Sequence, residues 1–236
     1  MKRIFKKIIK ILLILIGVLV IAGIALYFIY NQPLPEGETG PKAEALAQKM
    51  LKATNYKAYQ KTRYFEWSYA GGKHHYKWDK HNGQVEVQWD DYLVNLDLIS
   101  PKSSIAYKSK ERMNTQNAEG VIEKAISYFN NDSFWLVAPF KVFDKGTTRS
   151  IVVLEDGTEG LLVSYASGGT TPGDAYLWKL NAEGVPISYQ MWVKIIPING
   201  LEATWDDWKV MKTGVHLPGS HTLGPITLSM GEVKAY

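Results

Sequence analysis

Tyr64-Phe65-Glu66-Trp67-Ser68-Tyr69-Ala70-Gly71-Gly72-Lys73-His74-His75-Tyr76-Lys77-Trp78-Asp79 is the stretch that decides the fold class. Its large apolar side chains recur every second residue. A strand sends successive side chains to opposite faces, so Phe65, Trp67 and Tyr69 share one face. His74, Tyr76 and Trp78 do the same on the return. Gly71-Gly72 between them has the composition of a hairpin turn. The pattern continues downstream. In residues 84–90, Val85, Val87 and Trp89 alternate with Gln84, Glu86 and Gln88. In residues 92–98, Tyr92, Val94, Leu96 and Leu98 share a face. His81-Asn82-Gly83 is a turn, and residues 104–109 form a weaker strand.

Helical spacing brackets this run. Ala43, Leu46, Ala47, Met50 and Leu51 make one stripe of a helix over residues 42–55, with a short piece near 56–61. Val121, Ile122, Ala125, Ile126 and Phe129 make another over residues 117–129. A bulky segment, Phe134-Trp135-Leu136-Val137-Ala138-Pro139-Phe140, follows. Strand patterns return at 150–155, 160–167, 175–180, 185–196, 201–212 and 222–229. Their turns are Asp156-Gly157, the loop from Gly168-Gly169 to Gly173, and the segments 181–184 and 197–200. The expected fold is α+β: a curved antiparallel sheet or incomplete β-barrel of about ten or eleven strands covered by two helices.

Before this domain comes a different kind of sequence. Residues 11–30 contain no charge and read as one transmembrane helix. A helix of that length reaches about 30 Å, the thickness of a bilayer's hydrocarbon core. Lys2, Arg3, Lys6, Lys7 and Lys10 precede it, while Glu36 and Glu38 follow with no basic residue before Lys42. Cationic flanks stay in the cytoplasm, so residues 1–10 are expected inside and the domain outside. Tyr27 and Tyr30 fit an interfacial belt. Gly23-Ile24-Ala25 is a poor cleavage site because the apolar run continues to Ile29. Residues 31–41 form a Pro/Gly/Glu linker, and residues 42–236 one extracytoplasmic domain.

Composition narrows the function. The chain has no Cys, which excludes disulfides, thiolate metal sites, a Cys nucleophile and a thiol-linked lipid anchor. An exported domain without disulfides fits a bacterial inner membrane, with the domain periplasmic or extracellular. The formal charge of +4 comes from the basic N-terminus, so the domain is near neutral and offers no basic face for nucleic acid.

The element order, the aromatic strands around Trp67 to Trp78 (with His74-His75-Tyr76-Lys77-Trp78-Asp79) and the segment Asp132-Ser133-Phe134-Trp135-Leu136-Val137-Ala138-Pro139-Phe140-Lys141 carry a resemblance. They resemble the bacterial lipoprotein-carrier superfamily (outer-membrane lipoprotein localisation factor), over residues 42–236. The resemblance implies a half barrel lidded by helices whose concave side holds acyl chains. A tethered chain departs from the free-moving carriers, which favours a fixed receptor, handover site or scaffold.

No catalytic set stands out. His74 and His75 point to opposite faces, His81 lies in a turn, and His216 and His221 are remote, whereas a metal needs converging ligands. Exposed strand and turn histidines are the expectation. Asp90-Asp91 and Asp206-Asp207 each divide across two faces and read as solvated residues. Ser220-His221 reads as a solvated loop. The loop from Gly168 lacks a phosphate-binding lysine. Asn131-Asp132-Ser133 matches a glycosylation sequon. No cofactor is implied, and the protein is expected to be non-catalytic.

The eight Trp are the most informative residues. Trp205 and Trp208 are expected on opposite faces of one strand, so not all eight can fill one core. A pocket lined by aromatics suits an apolar ligand. Trp67, Tyr69, Trp78, Trp89, Trp178 and Tyr189 are the candidate lining of such a cavity. The expected partners are the bilayer through residues 11–30, an acyl chain or other apolar ligand, and an envelope protein. The alternative is a structural or interaction module with a filled core; a hydrolase ranks third.

Overall fold

A computed structural model describes residues 2–167 and 172–236. The chain opens with α1 (Lys2–Tyr30), β1 (Glu38–Thr39), α2 (Pro41–Ala53) and α3 (Tyr56–Lys61). The alternating run becomes β2 (Tyr64–Tyr69), β3 (His74–Asp79), β4 (Gln84–Trp89), β5 (Tyr92–Asp97), β6 (Ile105–Lys108) and β7 (Glu111–Arg112). Then come α4 (Thr115–Val137) and the strands β8 (Thr147–Val153), β9 (Glu159–Tyr165), β10 (Ala175–Leu180), β11 (Pro186–Trp192) and β12 (Leu201–Thr204). The chain closes with β13 (Lys209–Val210), β14 (His216–Leu217), β15 (Ser220–Leu223), β16 (Ile226–Ser229) and β17 (Lys234–Ala235).

The fold is α+β with large antiparallel sheets and an N-terminal apolar helix. The expected single sheet is divided. One sheet has seven strands in the order β17-β2-β3-β4-β5-β6-β7, the other six in the order β1-β8-β9-β10-β11-β12. Neither closes into a barrel. Three helices, not two, accompany the sheets: α2, α3 and α4. The two sheets are stitched by the chain's ends. β1 pairs with β8 in the second sheet, and β17 pairs with β2 in the first. One apolar core runs continuously between them.

Local chemistry sets the helix ends. Pro41 opens α2, where its missing N–H costs nothing. The hydroxyl of Thr54 donates to the carbonyl of Met50 (2.9 Å) and helps close that helix. Asn114 caps α4 by accepting from the Asn117 amide at 2.9 Å. α4 runs beyond the expected end at residue 129 to Val137, so Phe134 to Val137 of the bulky apolar segment form its last turn, and Ala138 to Phe140 continue into a short 3-10 turn. Asn130, Asn131, Asp132 and Ser133 are weak helix formers, and tertiary partners override that preference.

α1 is the one described helix long and apolar enough to cross a membrane, over Phe5–Tyr30. The chain after it is no free linker. The indole N–H of Trp192 donates to the Gln32 carbonyl at 2.9 Å, and the Gln32 amide donates to Asn199 at 3.0 Å. The Asn199 amide in turn donates to the Asn31 side chain at 2.9 Å. At the other end, Gly37 sits so close to Ser150 that an added Cβ would fall 2.5 Å from its hydroxyl oxygen. From β11 to β8 the strap crosses three strand spacings, about 14 Å. The five residue steps from Gln32 to Gly37 reach about 17 Å when extended. The strap is therefore nearly straight, as Pro33 and Pro35 favour. It crosses the outer face of the second sheet, where Val152, Leu162, Ala175, Leu177 and Trp192 form a second small core.

Gly200 shows how tightly the strap is seated. It has φ +79°, and an added Cβ would stand 2.8 Å from Cβ of Gln32. Gly157 has nearly the same φ, +80°, with nothing within 4 Å. Gly157→Ala should cost only the left-handed backbone strain, about 1 kcal/mol. Gly200→Ala should cost clearly more and speed proteolysis within residues 31–37. Urea unfolding and limited proteolysis of the two variants check this.

Candidate functional site

The six aromatics expected to line a cavity all face the core. Trp67, Tyr69, Trp89, Trp178 and Tyr189 are buried, and Trp78 is half-buried. Trp67 stacks on Tyr76 with centroids 4.5 Å apart, and Trp89 stacks on Tyr92 at 5.3 Å. Phe129 of α4 presses on Trp67 at 6.2 Å and meets Trp78 edge-on at 5.4 Å. In the second sheet, Trp178 meets Tyr189 at 5.0 Å and Trp205 at 5.0 Å, with Trp135 of α4 5.5 Å from Tyr189. The first four residues lie on one sheet and the last two on the other, joined through α4. An apolar guest would have to part these rings.

The Trp residues depart from expectation in one respect. Trp205 and Trp208 do not lie on opposite faces of a strand. The strand ends at Thr204, and Asp207 takes a left-handed conformation (φ 53°). Both rings then stack at 5.9 Å, and Trp208 donates its N–H to the carbonyls of Pro186 and Trp205. All eight indoles are consequently buried or half-buried. The indole N–H groups of Trp67, Trp78, Trp89, Trp178 and Trp205 have no acceptor among the described residues. Each is a cost that packing must offset.

A polar cluster sits where α4 crosses the first sheet. Oδ2 of Asp132 accepts from the Tyr76 hydroxyl at 2.6 Å and lies 2.7 Å from Nδ1 of His74. A carboxylate only accepts, so this geometry puts the proton on Nδ1. Oδ1 accepts from the Asn131 side chain at 2.8 Å. Tyr128 stacks over the His74 ring at 4.0 Å. Asp132 is itself buried. Burial, reinforced by the Asp132 charge, pushes the Tyr76 and Tyr69 hydroxyls far above their ordinary pKa. His74 is therefore not the exposed strand residue expected. In the sequence Asp132 stands out only within the 131–133 and 132–141 motifs. Its position carried a signal, since it lies three residues after Phe129 and four before Leu136, on the buried stripe.

His221 also departs from expectation. It sits in β15, fully buried between Trp205 (4.6 Å) and Trp135 (5.1 Å), not in a solvated loop. Its Nδ1 donates to the Thr204 carbonyl at 2.9 Å. Burial lowers its pKa to about 4, against the opposing pull of the Thr204 and Trp135 carbonyls and the Asp206 charge. His75 and His81 are exposed, as expected.

The remaining candidates stay apart. Asp90 and Asp91 form the two-residue turn between β4 and β5. Asp206 accepts from Thr204, while Asp207 pairs with Lys209 at 2.7 Å on the surface. Among the described residues no three His, Asp or Glu side chains converge as a metal requires. The Gly168-Gly169-Thr170-Thr171 part of the glycine loop lies outside the described residues.

Concave space lies on the outer face of the seven-stranded sheet. A groove of ≈ 440 Å³ is lined by Tyr64, Glu66, Lys77, Asp79, Glu86 and Tyr236, among others. A second groove of ≈ 410 Å³ shares Glu66, Lys77 and Glu86 and adds Ser68, His75 and Gln88. Lys77 pairs with Glu86 at 3.2 Å, and the Tyr236 hydroxyl donates to Glu66 at 2.5 Å. The trough is mixed in character, with Phe65, Trp78 and Val85 also lining the first groove and Trp67 and Tyr76 the second.

No known family model matches the chain, and neither does any curated protein.

Two outcomes follow from the buried polar groups. Below pH 6.5 the unfolded chain protonates His221, whereas the folded protein resists until about pH 4. His221's contribution is complete above pH 6.5 and is lost as the pH falls to 4, by about 3 kcal/mol. His221→Phe should flatten that part of the stability–pH curve in urea titrations. Asp132→Ala should strip the acceptor from Tyr76 and His74 and lower stability by about 3 kcal/mol, whereas Tyr76→Phe should lose about 1 kcal/mol. Thermal and urea unfolding check both.

Proposed function

We propose that this protein is a membrane-tethered, non-catalytic interaction module that works through its surface. α1 spans a bacterial inner membrane, the basic N-terminus lies in the cytoplasm, and the domain stands in the periplasm or outside the cell. The basic residues before the apolar run and their absence after it support that direction. The observation that carries the module reading is the ring-on-ring packing of Trp67, Trp78, Trp89 and Tyr189 with the aromatic residues of α4, and of Trp178 with Tyr189. A core so occupied serves as a rigid support. The trough around Glu66, Lys77 and Glu86, with aromatic residues at its floor, supplies a surface for an envelope protein.

A second reading rests on the first sheet's aromatic inner face and the helix that lids it. With α4 displaced, that half would resemble the acyl-chain receptacle of the lipoprotein-carrier superfamily, held at the bilayer by its anchor.

Two measurements on the full-length protein separate these readings. A photo-crosslinker placed at Gln88 in intact cells should trap a protein, and one placed at Val153 should not. Native mass spectrometry after detergent extraction should give the bare polypeptide mass. A stoichiometric acyl-lipid adduct, with no crosslink from Gln88, would overturn the module reading in favour of the lipid one.

A further inference from the structure

The second sheet has two dissimilar ends. At one end the β8–β9 turn exposes Glu155, Asp156 and Thr158, and the β10–β11 turn exposes Ala182 and Glu183. At the other end the β11–β12 loop reads Lys194-Ile195-Ile196-Pro197-Ile198. Ile195 is 65% exposed there. A single exposed isoleucine is ordinary, and Val153 at the acidic end is 71% exposed. What distinguishes Ile195 is its surroundings. The loop that carries it is bonded directly to the chain leaving α1.

Those bonds leave little room between loop and bilayer. α1 ends at Tyr30, and the Asn31 amide still donates to the Tyr27 carbonyl at 2.8 Å. Asn31 and Gln32 then take the hydrogen bonds of Asn199 and Trp192 described above. Gly200 packs against the Gln32 side chain. No free linker intervenes. If Tyr27 and Tyr30 sit at the level of the headgroups, both ends of the loop, at Trp192 and Asn199, are held within a residue or two of that level, and residues 194–198 between them are within reach of it. Isoleucine and proline suit the acyl boundary. Lys194, whose ammonium donates to the Pro172 carbonyl, suits the phosphate layer above it.

We propose that residues 194–198 are a second membrane contact, dipping into the lipid interface beside the anchor and fixing the domain's tilt on the bilayer. The occupant of this surface is lipid. The inference rests on the reading of α1 as a membrane anchor. The acidic end then points away, since β10 and β11 put about 20 Å between the two ends of the sheet.

The absence of Cys makes the test direct. Full-length Ile195→Cys, Val153→Cys and Leu19→Cys variants would each carry an environment-sensitive fluorophore. They would be reconstituted into phosphatidylcholine/phosphatidylglycerol vesicles containing a deep spin-labelled lipid to report on position 19 and, in a parallel sample, a shallow one to report on positions 195 and 153. All three positions are exposed on the protein, so the label disturbs little packing. The labels at 19 and 195 should be quenched, with position 195 quenched several-fold more than position 153. Quenching at 19 with no difference between 195 and 153 overturns the loop contact while leaving the anchor intact. No quenching at 19 removes the anchor, and the loop contact with it.

Discussion

The structure depends on how α4 is seated. The helix lies against both sheets and gives each a different set of rings. Phe129 meets Trp67, Tyr76 and Trp78 of the first sheet. Phe134 meets Tyr165 and Tyr176, and Trp135 meets Tyr189, in the second. Between the two sets, the Asp132 carboxylate takes hydrogen bonds from Tyr76 and His74. Aromatic contacts are individually worth about 1 kcal/mol and tolerate sliding. A buried carboxylate does not, because any shift of α4 would leave it without partners. The rings supply adhesion and Asp132 supplies registry. Without α4 seated, the two sheets would present their aromatic faces to water.

The chain's ends add a second constraint. β17 completes the first sheet and β1 the second, so neither sheet is assembled from one continuous stretch of sequence. The strap between α1 and β1 extends this to the N-terminal helix. Because Gln32 is bonded to Trp192 and Asn199, a displacement of α1 is transmitted to β11 rather than absorbed by a linker. The domain is thus joined to the apolar helix without a free linker.

Much of the first sheet was legible in the sequence, for a physical reason. β2 to β5 have one wet face and one buried face, so their alternation is written into residue type. The expected faces of Phe65, Trp67, Tyr69, Tyr76, Val85, Val87, Trp89, Val94 and Leu96 agree with their burial. The second sheet is covered on both faces, and runs such as Leu161-Leu162-Val163 carry no period to read. Two-residue strands such as β1, β7 and β17 owe their existence to distant partners and leave no local signal. The same limit hid the polar cluster, since His74 and Asp132 are 58 residues apart. The turn at Asp207 reversed the expected relation of Trp205 and Trp208, because one left-handed residue redirects everything after it. The strap has the composition of a linker because of Pro33 and Pro35. Those residues also suit a straight segment crossing a sheet.

Hydrogen exchange on the full-length protein in lipid nanodiscs tests the central claim, that α4 is a wedge rather than a lid. If α4 joins the sheets, its amides across residues 125–137 should exchange only in global opening, at the same rate as those of β3, β4, β10 and β11. Exchange of α4 well ahead of both sheets would show a helix that lifts away and exposes the aromatic face, and would contradict the account.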